Sequence, residues 1–219
     1  MGIVGCVNVV IVGGHGKIGM RLSKILAERG DSPRGIIRKT EQADDLEKIG
    51  AEPIVLDIEN VDDINDAFAG SDAVVFAAGA GAGSGPARKL TVDYGGAVKS
   101  VDAAIAKEIR RFVIVSSINA NRPENWSGDM KPYYEAKADA DKFVAESGLD
   151  YTIVRPGRLT DDPGTGKVDL GNGPGGTGSV TRDDVALVVA ECLTADNAVG
   201  KSFDLLNGDI PVAEAIAAL

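Results

Sequence analysis

Apolar residues along this chain follow two alternating patterns, short continuous runs and longer segments with helical spacing. The runs predict buried strands, at residues 7–12, 34–37, 53–56, 72–77, 111–116, 150–155 and 202–206. The other segments predict helices, at residues 17–29, 41–49, 61–69, 86–107, 131–147 and 181–194. Because strands alternate with helices, we expect an α/β fold, a doubly wound parallel sheet between two helical layers in a single domain of residues 1–219.

One segment, residues 156–179, has the composition of a linker and is rich in Gly, Pro, Asp and Thr. We expect a loop on the substrate side of the domain, since a loop of this length inside a compact domain is usually functional. Asp161 and Asp162 fall within it and suggest a mobile lid. Its glycines favour mobility before ligand binds, at Gly164, Gly166, Gly171, Gly173, Gly175, Gly176 and Gly178.

Length and charge narrow the classes of protein. The 219 residues suffice for one domain with a full core, and 44% of them are hydrophobic. The net charge of −10 argues against nucleic acid or an anionic membrane as partner. The first residues lack a basic leader and no apolar run is long enough to span a bilayer, so we expect a cytoplasmic protein. The oligomeric state stays open, a homo-oligomer included.

The first predicted strand runs directly into a glycine turn and then into a helix. Glycines there permit a tight turn and a close approach of the backbone to a pyrophosphate, while the helix N-terminus offers free N–H groups to the anion. This context, strand then turn then helix, predicts a dinucleotide site rather than an ordinary turn. The turn consists of Gly13, Gly14, His15, Gly16, Lys17, Ile18 and Gly19.

The end of the second predicted strand carries Arg38 and Lys39. An NAD site expects an acidic residue there, to bond the ribose 2′-hydroxyl. A guanidinium can instead bind a 2′-phosphate through two charge-assisted hydrogen bonds. The sequence therefore favours NADP(H) over NAD(H), with two solvated loop charges as the alternative interpretation.

The next two strand ends complete the predicted cofactor site. Asp57 and Ile58 follow the third strand, where a carboxylate could meet the adenine amino group. Small residues follow the fourth strand and would let the cofactor lie close to the backbone. These residues are Ala77, Ala78, Gly79 and Ala80.

Taken in order, these motifs resemble the short-chain dehydrogenase/reductase superfamily. The resemblance also uses Ser116 and Ser117 after the fifth strand, the pair Tyr133 and Lys137, and the stretch 151–157. It covers nearly the whole chain and is nearest to small atypical NAD(P)-binding proteins described as epimerase/dehydratase-like or NmrA-like. A Rossmann-like fold and a nicotinamide cofactor are what this resemblance implies.

The resemblance also implies roles for individual residues. Tyr133 would be the general acid or base, and Lys137, four residues further on the same helix face, would lower the pKa of the phenol and bond a ribose hydroxyl. Ser117 would orient the substrate oxygen. Further contacts to the cofactor would come from Ser116, Lys137, Pro156, Gly157, Arg158 and Leu159.

Two departures from the superfamily pattern weigh against its usual chemistry. Asp93 stands where typical members have Asn, and a carboxylate near Lys137 would stabilise the ammonium and make tyrosinate harder to form. In addition, only about sixty residues follow the sixth strand, fewer than a separate substrate lobe requires. We therefore expect a small substrate rather than a sugar nucleotide.

The sequence predicts an NADP-dependent reductase or dehydrogenase acting on a small carbonyl or alcohol compound. Two alternatives stay open: an NADP(H)-binding redox sensor of the NmrA type that does not turn over, and a flavin or biliverdin-type reductase. His15 would fill space within the glycine turn or contact a phosphate. Trp126 would form part of the substrate pocket or anchor a loop. Nothing has metal-ligand spacing, and Cys6 and Cys192 are expected to be buried structural thiols.

Overall fold

The structure is a computed structural model that describes residues 6–81, 83–171 and 177–219. The strands are β1 (Asn8–Val12), β2 (Ser32–Ile37), β3 (Glu52–Val55), β4 (Ala73–Phe76), β5 (Arg111–Val115), β6 (Asp150–Pro156), β7 (Arg158–Thr160), β8 (Lys167–Gly171), β9 (Ser179–Thr181), β10 (Lys201–Asn207) and β11 (Ile210–Pro211). The helices are α1 (Lys17–Arg29), α2 (Ala43–Glu47), α3 (Asn65–Phe68), α4 (Pro86–Arg88), α5 (Gly95–Ala106), α6 (Lys131–Glu146), α7 (Arg182–Cys192) and α8 (Val212–Ala217).

Nine of the described strands form one sheet in the order β11-β8-β10-β6-β5-β4-β1-β2-β3. The neighbouring strands β10, β6, β5, β4, β1, β2 and β3 run parallel to one another. At the β10 edge, β8 pairs antiparallel with β10 and β11 pairs antiparallel with β8. The order 3-2-1-4-5-6 within this sheet is that of the Rossmann fold, in which ligands bind at the carboxyl ends of the strands. The expected doubly wound α/β domain is thereby confirmed.

Helices cover both faces of the sheet, and strand alternation distributes the core between them. In β1, Val9 and Ile11 pack in the cluster that includes residues of α1 and α7. Val10 and Val12 pack in the opposite cluster, with residues of α5 and α6. Since successive side chains of a strand point to opposite faces, an entirely apolar β1 is what a strand buried on both faces requires.

The predicted strands agree with the structure to within one or two residues, but three of the predicted helices differ. The segment 86–107 is not one helix: α4 is followed by a π-helix, Lys89–Tyr94, and then by α5. The segments 41–49 and 61–69 contain only the short α2 and α3 together with turns. Among the described residues, no helix is long and apolar enough to cross a membrane.

The expected loop at residues 156–179 is corrected by the structure. It contains β7, β8 and β9, of which β8 joins the main sheet and β7 pairs with β9. The alternation of Val168 and Leu170 with Lys167 and Asp169 is a strand pattern, which the surrounding glycines obscured. Residues 172–176, with Gly173, Gly175 and Gly176, lie outside the described residues.

The two cysteines differ in their exposure to solvent. Cys192 is buried in α7 as expected, but Cys6 is exposed, so the expectation of two buried thiols is wrong for Cys6. The reason is its position, because β1 begins at Asn8 and Cys6 precedes the part of the strand that the sheet buries.

Candidate functional site

A cavity of about 250 Å³ opens at the carboxyl ends of β1 to β4. The predicted cofactor residues that line it are Gly13, His15, Gly16, Arg38, Asp57, Ile58, Ala77, Ala78, Gly79 and Ala80. The remaining predicted residues are not part of its wall: Gly14, Lys17, Ile18, Gly19, Lys39, Ser116, Lys137, Pro156, Gly157, Arg158 and Leu159. The wall thus unites residues from four strand ends that are distant in sequence.

The glycine turn is packed too closely for side chains. Gly13 has φ +90°, and a Cβ there would lie 2.8 Å from the backbone of Ala78. A Cβ on Gly14 would lie 2.6 Å from Cα of Gly35 in β2. The turn therefore needs glycine for its backbone conformation at one position and for close packing at the next. It also leaves the N-terminus of α1 uncapped by side chains, since Gly16 occupies the N-cap.

His15 is held by two side chains from the segment that follows β2. Its Nε2 lies 3.0 Å from Oδ2 of Asp45, and its Nδ1 lies 3.0 Å from Nε2 of Gln42. The hydrogen bond from His15, followed by the bond and charge of Lys48, holds the pKa of Asp45 below its usual value. His15 thus ties the glycine turn to the loop that carries Arg38, a structural role that the sequence did not indicate.

Arg38 lines the cavity at the end of β2 and is exposed. Within the described part of the chain, its guanidinium makes no hydrogen bond or ion pair, although its charge contributes to lowering the pKa of Glu59. Lys39, the next residue, lies outside the cavity wall, and its backbone N–H donates to Oε1 of Gln42 at 3.2 Å. An unpaired guanidinium at this position is available to an anionic ligand.

Glu59 and Arg88 also line the cavity, and the sequence analysis missed both. The guanidinium of Arg88 donates to Glu59 through Nη2 at 2.9 Å and through Nε at 3.2 Å. The hydroxyl of Thr91 donates to the other Glu59 oxygen at 2.7 Å. Arg88 lies in a stretch that reads as ordinary helix, so only the fold brings it to the end of β3. Asp57 itself accepts hydrogen bonds from the backbone N–H of Glu59 and from Asn60.

Asp93 and Lys137 form a buried ion pair next to this cavity. Lys137 Nζ lies 3.2 Å from Oδ1 of Asp93 and 3.2 Å from the carbonyl oxygen of Val115. The other carboxylate oxygen of Asp93 accepts from the backbone N–H of Ala80 at 3.0 Å. Asp93 belongs to the π-helix, a conformation frequently found at functional sites. One carboxylate thus joins the loop after β4 to the lysine on α6.

The environment of Lys137 keeps it charged. Burial by itself would lower the pKa of Lys137, but the neighbouring Tyr133 and Asp93 outweigh burial and raise this pKa above its usual value. An ammonium has three N–H donors. Asp93 and Val115 are its oxygen contacts in the described structure and account for two of these donors.

The structure brings Tyr133 to Lys137 as the spacing predicts. The Tyr133 ring centroid is 6.0 Å from Lys137 Nζ and 5.1 Å from Lys89 Nζ, and the ring is half-buried. Ser117 is buried just beyond the end of β5. Trp126 donates from Nε1 to the carbonyl oxygen of Asn119 at 2.6 Å, as a loop anchor would, and it is not part of the cavity wall.

A second buried pair lies one helical turn beyond Lys137. Asp141, four residues further along α6, accepts from Nε of Arg155 in β6 at 2.8 Å. Burial raises the pKa of Asp141, although the charge of Arg155 opposes this rise. Arg155 lies in the stretch 151–157 that carries the resemblance, but nothing in the sequence linked it to Asp141.

The expected lid around Asp161 is instead anchored to the body of the domain. Asp161 pairs with Lys17 at 2.5 Å and with Arg182 at 2.9 Å. The hydrogen bond from Lys17 holds the pKa of Asp161 below its usual value. Asp184, buried at the start of α7, accepts from the backbone N–H groups of Thr165 and Gly166 at 3.0 and 2.8 Å. These bonds anchor the segment 161–166 in this structure, and its mobility stays a prediction.

The sheet order and the cavity at its carboxyl edge define a Rossmann-type nucleotide-binding domain, and comparison with known proteins agrees. The chain matches the NAD(P)H-binding family over residues 13–196 and belongs to that family. It is similar to an uncharacterized sugar epimerase, YhfK, of Bacillus subtilis, with 42% identity over 214 residues that cover 97% of this chain and 100% of the relative.

Two solved structures extend this comparison. The first is a Bacillus halodurans protein provisionally named an NAD-dependent epimerase/dehydratase, with TM-score 0.93, 39% identity and coverage of 97% of this chain and 100% of the other. The second is the oxidoreductase ylbE of Lactococcus lactis, with TM-score 0.87, 32% identity and coverage of 97% and 96%. The resemblance drawn from the motifs is confirmed at the level of the family.

Proposed function

We propose that this protein is an NADP(H)-dependent oxidoreductase that interconverts a small carbonyl compound and the corresponding alcohol. The observation that carries the proposal is the pairing of Tyr133 with the buried ammonium of Lys137, beside a cavity suited to the adenosine half of a dinucleotide. Relatives named as an oxidoreductase and as an NAD-dependent epimerase/dehydratase support a nicotinamide cofactor.

The residues present fit a dinucleotide. The glycine turn has no room for side chains, so its backbone can approach a pyrophosphate at the N-terminus of α1. The small residues after β4 line the cavity and leave space beside the backbone. Gly13, Gly16 and Ala78 would hold the phosphates and the adjoining ribose, and Asp57 would lie at the adenine end.

Arg38 supports NADP(H) as the cofactor. A 2′-phosphate carries close to two negative charges, which an unpaired guanidinium can meet with two hydrogen bonds. In the cavity wall, Arg38 is available for this contact because it has no acceptor among the described residues. Lys39 would attract the 2′-phosphate through its charge at the surface, without contacting it directly.

In the chemical step, the nicotinamide supplies or accepts the hydride. During reduction, Tyr133 would donate its phenolic proton to the carbonyl oxygen, and Ser117 would orient that oxygen by hydrogen bonding. Lys137 would hold a ribose hydroxyl with its third N–H donor. Because Asp93 already balances the ammonium, Lys137 serves here more as a positioning group than as a strong activator of Tyr133.

The described residues after β6 support a small substrate. They return to the main sheet as β8, β10 and β11, and α7 and α8 pack against its core. These residues therefore contribute to the nucleotide-binding domain itself and not to an enclosing wall for a sugar nucleotide.

The proposal is tested by NADPH consumption with a panel of aldehydes, ketones, quinones and flavins. We expect turnover with at least one carbonyl compound. Turnover with flavins alone would contradict the proposed carbonyl chemistry, since flavin reduction needs no tyrosine acid.

The Asp93–Lys137 pair favours one second candidate, a redox sensor that binds NADP(H) without turnover. A lysine fully balanced by a buried carboxylate can hold a ribose without promoting proton transfer. Tight NADPH binding together with no consumption across the whole panel would favour this sensor.

A further inference from the structure

Arg88 occupies a special place in the cavity wall. It ends α4, directly before the π-helix that carries Asp93, and it lines the same cavity as Asp57 and Arg38. Two guanidinium groups therefore face one pocket. Their environments differ, and this difference suggests separate tasks.

The guanidinium of Arg88 is held in one orientation. Its Nη2 and Nε both donate to Glu59, and Thr91 fixes the second oxygen of the same carboxylate. The hydrogen bond from Arg88, followed by that from Thr91, holds the pKa of Glu59 below its usual value. The pair is therefore ionised at neutral pH, and the plane of the guanidinium is set by bonds to both carboxylate oxygens, from Nη2 to Oε2 at 2.9 Å and from Nε to Oε1 at 3.3 Å.

This arrangement is poorly suited to binding a phosphate. Glu59 already neutralises the charge of Arg88 and occupies Nε and one N–H of Nη2, so a phosphate at the three remaining N–H donors would lie close to a carboxylate. Arg38, in contrast, makes no hydrogen bond or ion pair with the described residues. Arg88 also offers its flat face, and guanidinium planes stack readily on aromatic rings and bases.

We infer that Arg88, oriented by Glu59, is a stacking surface for the purine base of the nucleotide, whereas Arg38 binds the 2′-phosphate. This inference rests on the proposed function, because it assumes that an adenine nucleotide occupies the cavity. Arg88 would then contribute equally to the binding of phosphorylated and unphosphorylated adenosine ligands. Selectivity between NADP(H) and NAD(H) would come from Arg38.

Calorimetric titration of the full chain with two fragments, 5′-AMP and 2′,5′-ADP, separates these tasks. We expect Arg88→Ala to weaken both fragments by the same factor, about tenfold, which is typical of one lost stacking contact. Arg88→Lys, which keeps the charge but not the plane, should behave like Arg88→Ala. Arg38→Ala should weaken 2′,5′-ADP alone.

Two further variants keep the test decisive. Arg110→Ala removes a matched two-bond pair with Asp150 outside the cavity wall and should change neither affinity. Glu59→Gln releases Arg88 and should weaken both fragments, by less than Arg88→Ala. Circular dichroism melts of each variant report whether the fold is retained. If Arg88→Ala does not fold, the fragment affinities of Glu59→Gln test the inference in its place.

The inference is overturned if Arg88→Ala leaves both affinities unchanged, or if it affects 2′,5′-ADP alone and Arg88→Lys restores binding. Stronger binding of 2′,5′-ADP by Glu59→Gln would likewise identify Arg88 as a phosphate ligand and overturn it. Failure of the unmodified protein to bind either fragment would instead contradict the proposed function, and the inference with it.

Discussion

The carboxylate of Asp93 lies 3.2 Å from the ammonium of Lys137, and both side chains are buried. Asp93 also accepts a hydrogen bond from the backbone N–H of Ala80. This one residue therefore holds both the ammonium of Lys137 and the loop after β4 in position. Two buried charges stabilise a fold only when they remain paired. Stability and site geometry are therefore coupled at this pair.

Asp93→Asn should lower the free energy of unfolding by about 2–4 kcal/mol, somewhat less than the usual loss for a broken buried pair, because the amide can still accept from Ala80. Urea unfolding at pH 7 measures this change. Asp62→Asn is the control: its carboxylate is fully exposed, 3.7 Å from Lys99, and its replacement should leave stability unchanged. Equal effects of the two variants would contradict the account.

The same pair predicts a pH dependence. Because the pKa of Lys137 is raised in the folded protein, its stabilisation is complete below the unfolded value of about 10.4 and is lost as the pH rises through the folded value. In Asp93→Asn the lysine loses this partner while its burial remains, so its pKa in the folded variant is lower than in the unmodified protein. The difference in stability between the two proteins should therefore be largest at neutral pH and shrink as the pH rises through the lysine pKa of the variant and then that of the unmodified protein. A difference that stays constant from pH 7 to pH 11 would show that Asp93 does not influence the titration of Lys137.

Arg38 predicts the choice of cofactor. NADPH should bind at least about tenfold more tightly than NADH, and Arg38→Asp should reverse the order, because a carboxylate repels the 2′-phosphate. Fluorescence titration measures both affinities. Lys201→Asp, an exposed position on β10, makes the same change in net charge and should preserve the preference. Equal binding of NADPH and NADH to the unmodified protein would refute this role of Arg38.

The two thiols should differ in reactivity. Burial raises the pKa of Cys192 to about 12, whereas Cys6 is exposed. Since the thiolate is the reactive form, iodoacetamide at about pH 8 should label one cysteine in the native protein and both after denaturation. Mass spectrometry of Cys6→Ser should show no native labelling. Rapid labelling of native Cys192 would be incompatible with its burial.

Asp184 should be a major support of the segment 161–166. Asp184→Ala leaves the N–H groups of Thr165 and Gly166 without their acceptor, and we expect a loss of about 2–4 kcal/mol in unfolding free energy. Hydrogen exchange at these two amides should accelerate. Asp162→Ala, at an exposed neighbour, is the control and should change neither. Slow exchange that persists in Asp184→Ala would mean that other contacts hold the segment.

The sequence predicted those parts of the fold and site that depend on local order. The alternation of apolar runs with helical segments identified the sheet, and the turn from Gly13 to Gly19 located the cofactor because its glycines, strand and helix are contiguous. Tyr133 and Lys137 were found because four residues of helix bring them together.

Contacts between distant segments could not be read from the sequence. Asp161 meets Lys17 across 144 residues, so its anchoring could not be predicted from the surrounding residues. Arg88 meets Glu59 because α4, which follows β4, lies at the carboxyl edge of the sheet, where β3 also ends. The strand pattern of β8 was hidden by glycines that a local reading assigns to loops.

The central claim, catalysis by Tyr133, is tested most directly by comparing the unmodified protein with Tyr133→Phe. The measurement is NADPH oxidation with a carbonyl compound that the unmodified protein reduces, together with NADPH affinity for each protein. Removing only the hydroxyl should lower the rate by about 100-fold or more while NADPH affinity stays within a few-fold, as expected for loss of a positioned acid. Unchanged turnover in Tyr133→Phe would contradict the account and exclude Tyr133 as the proton donor.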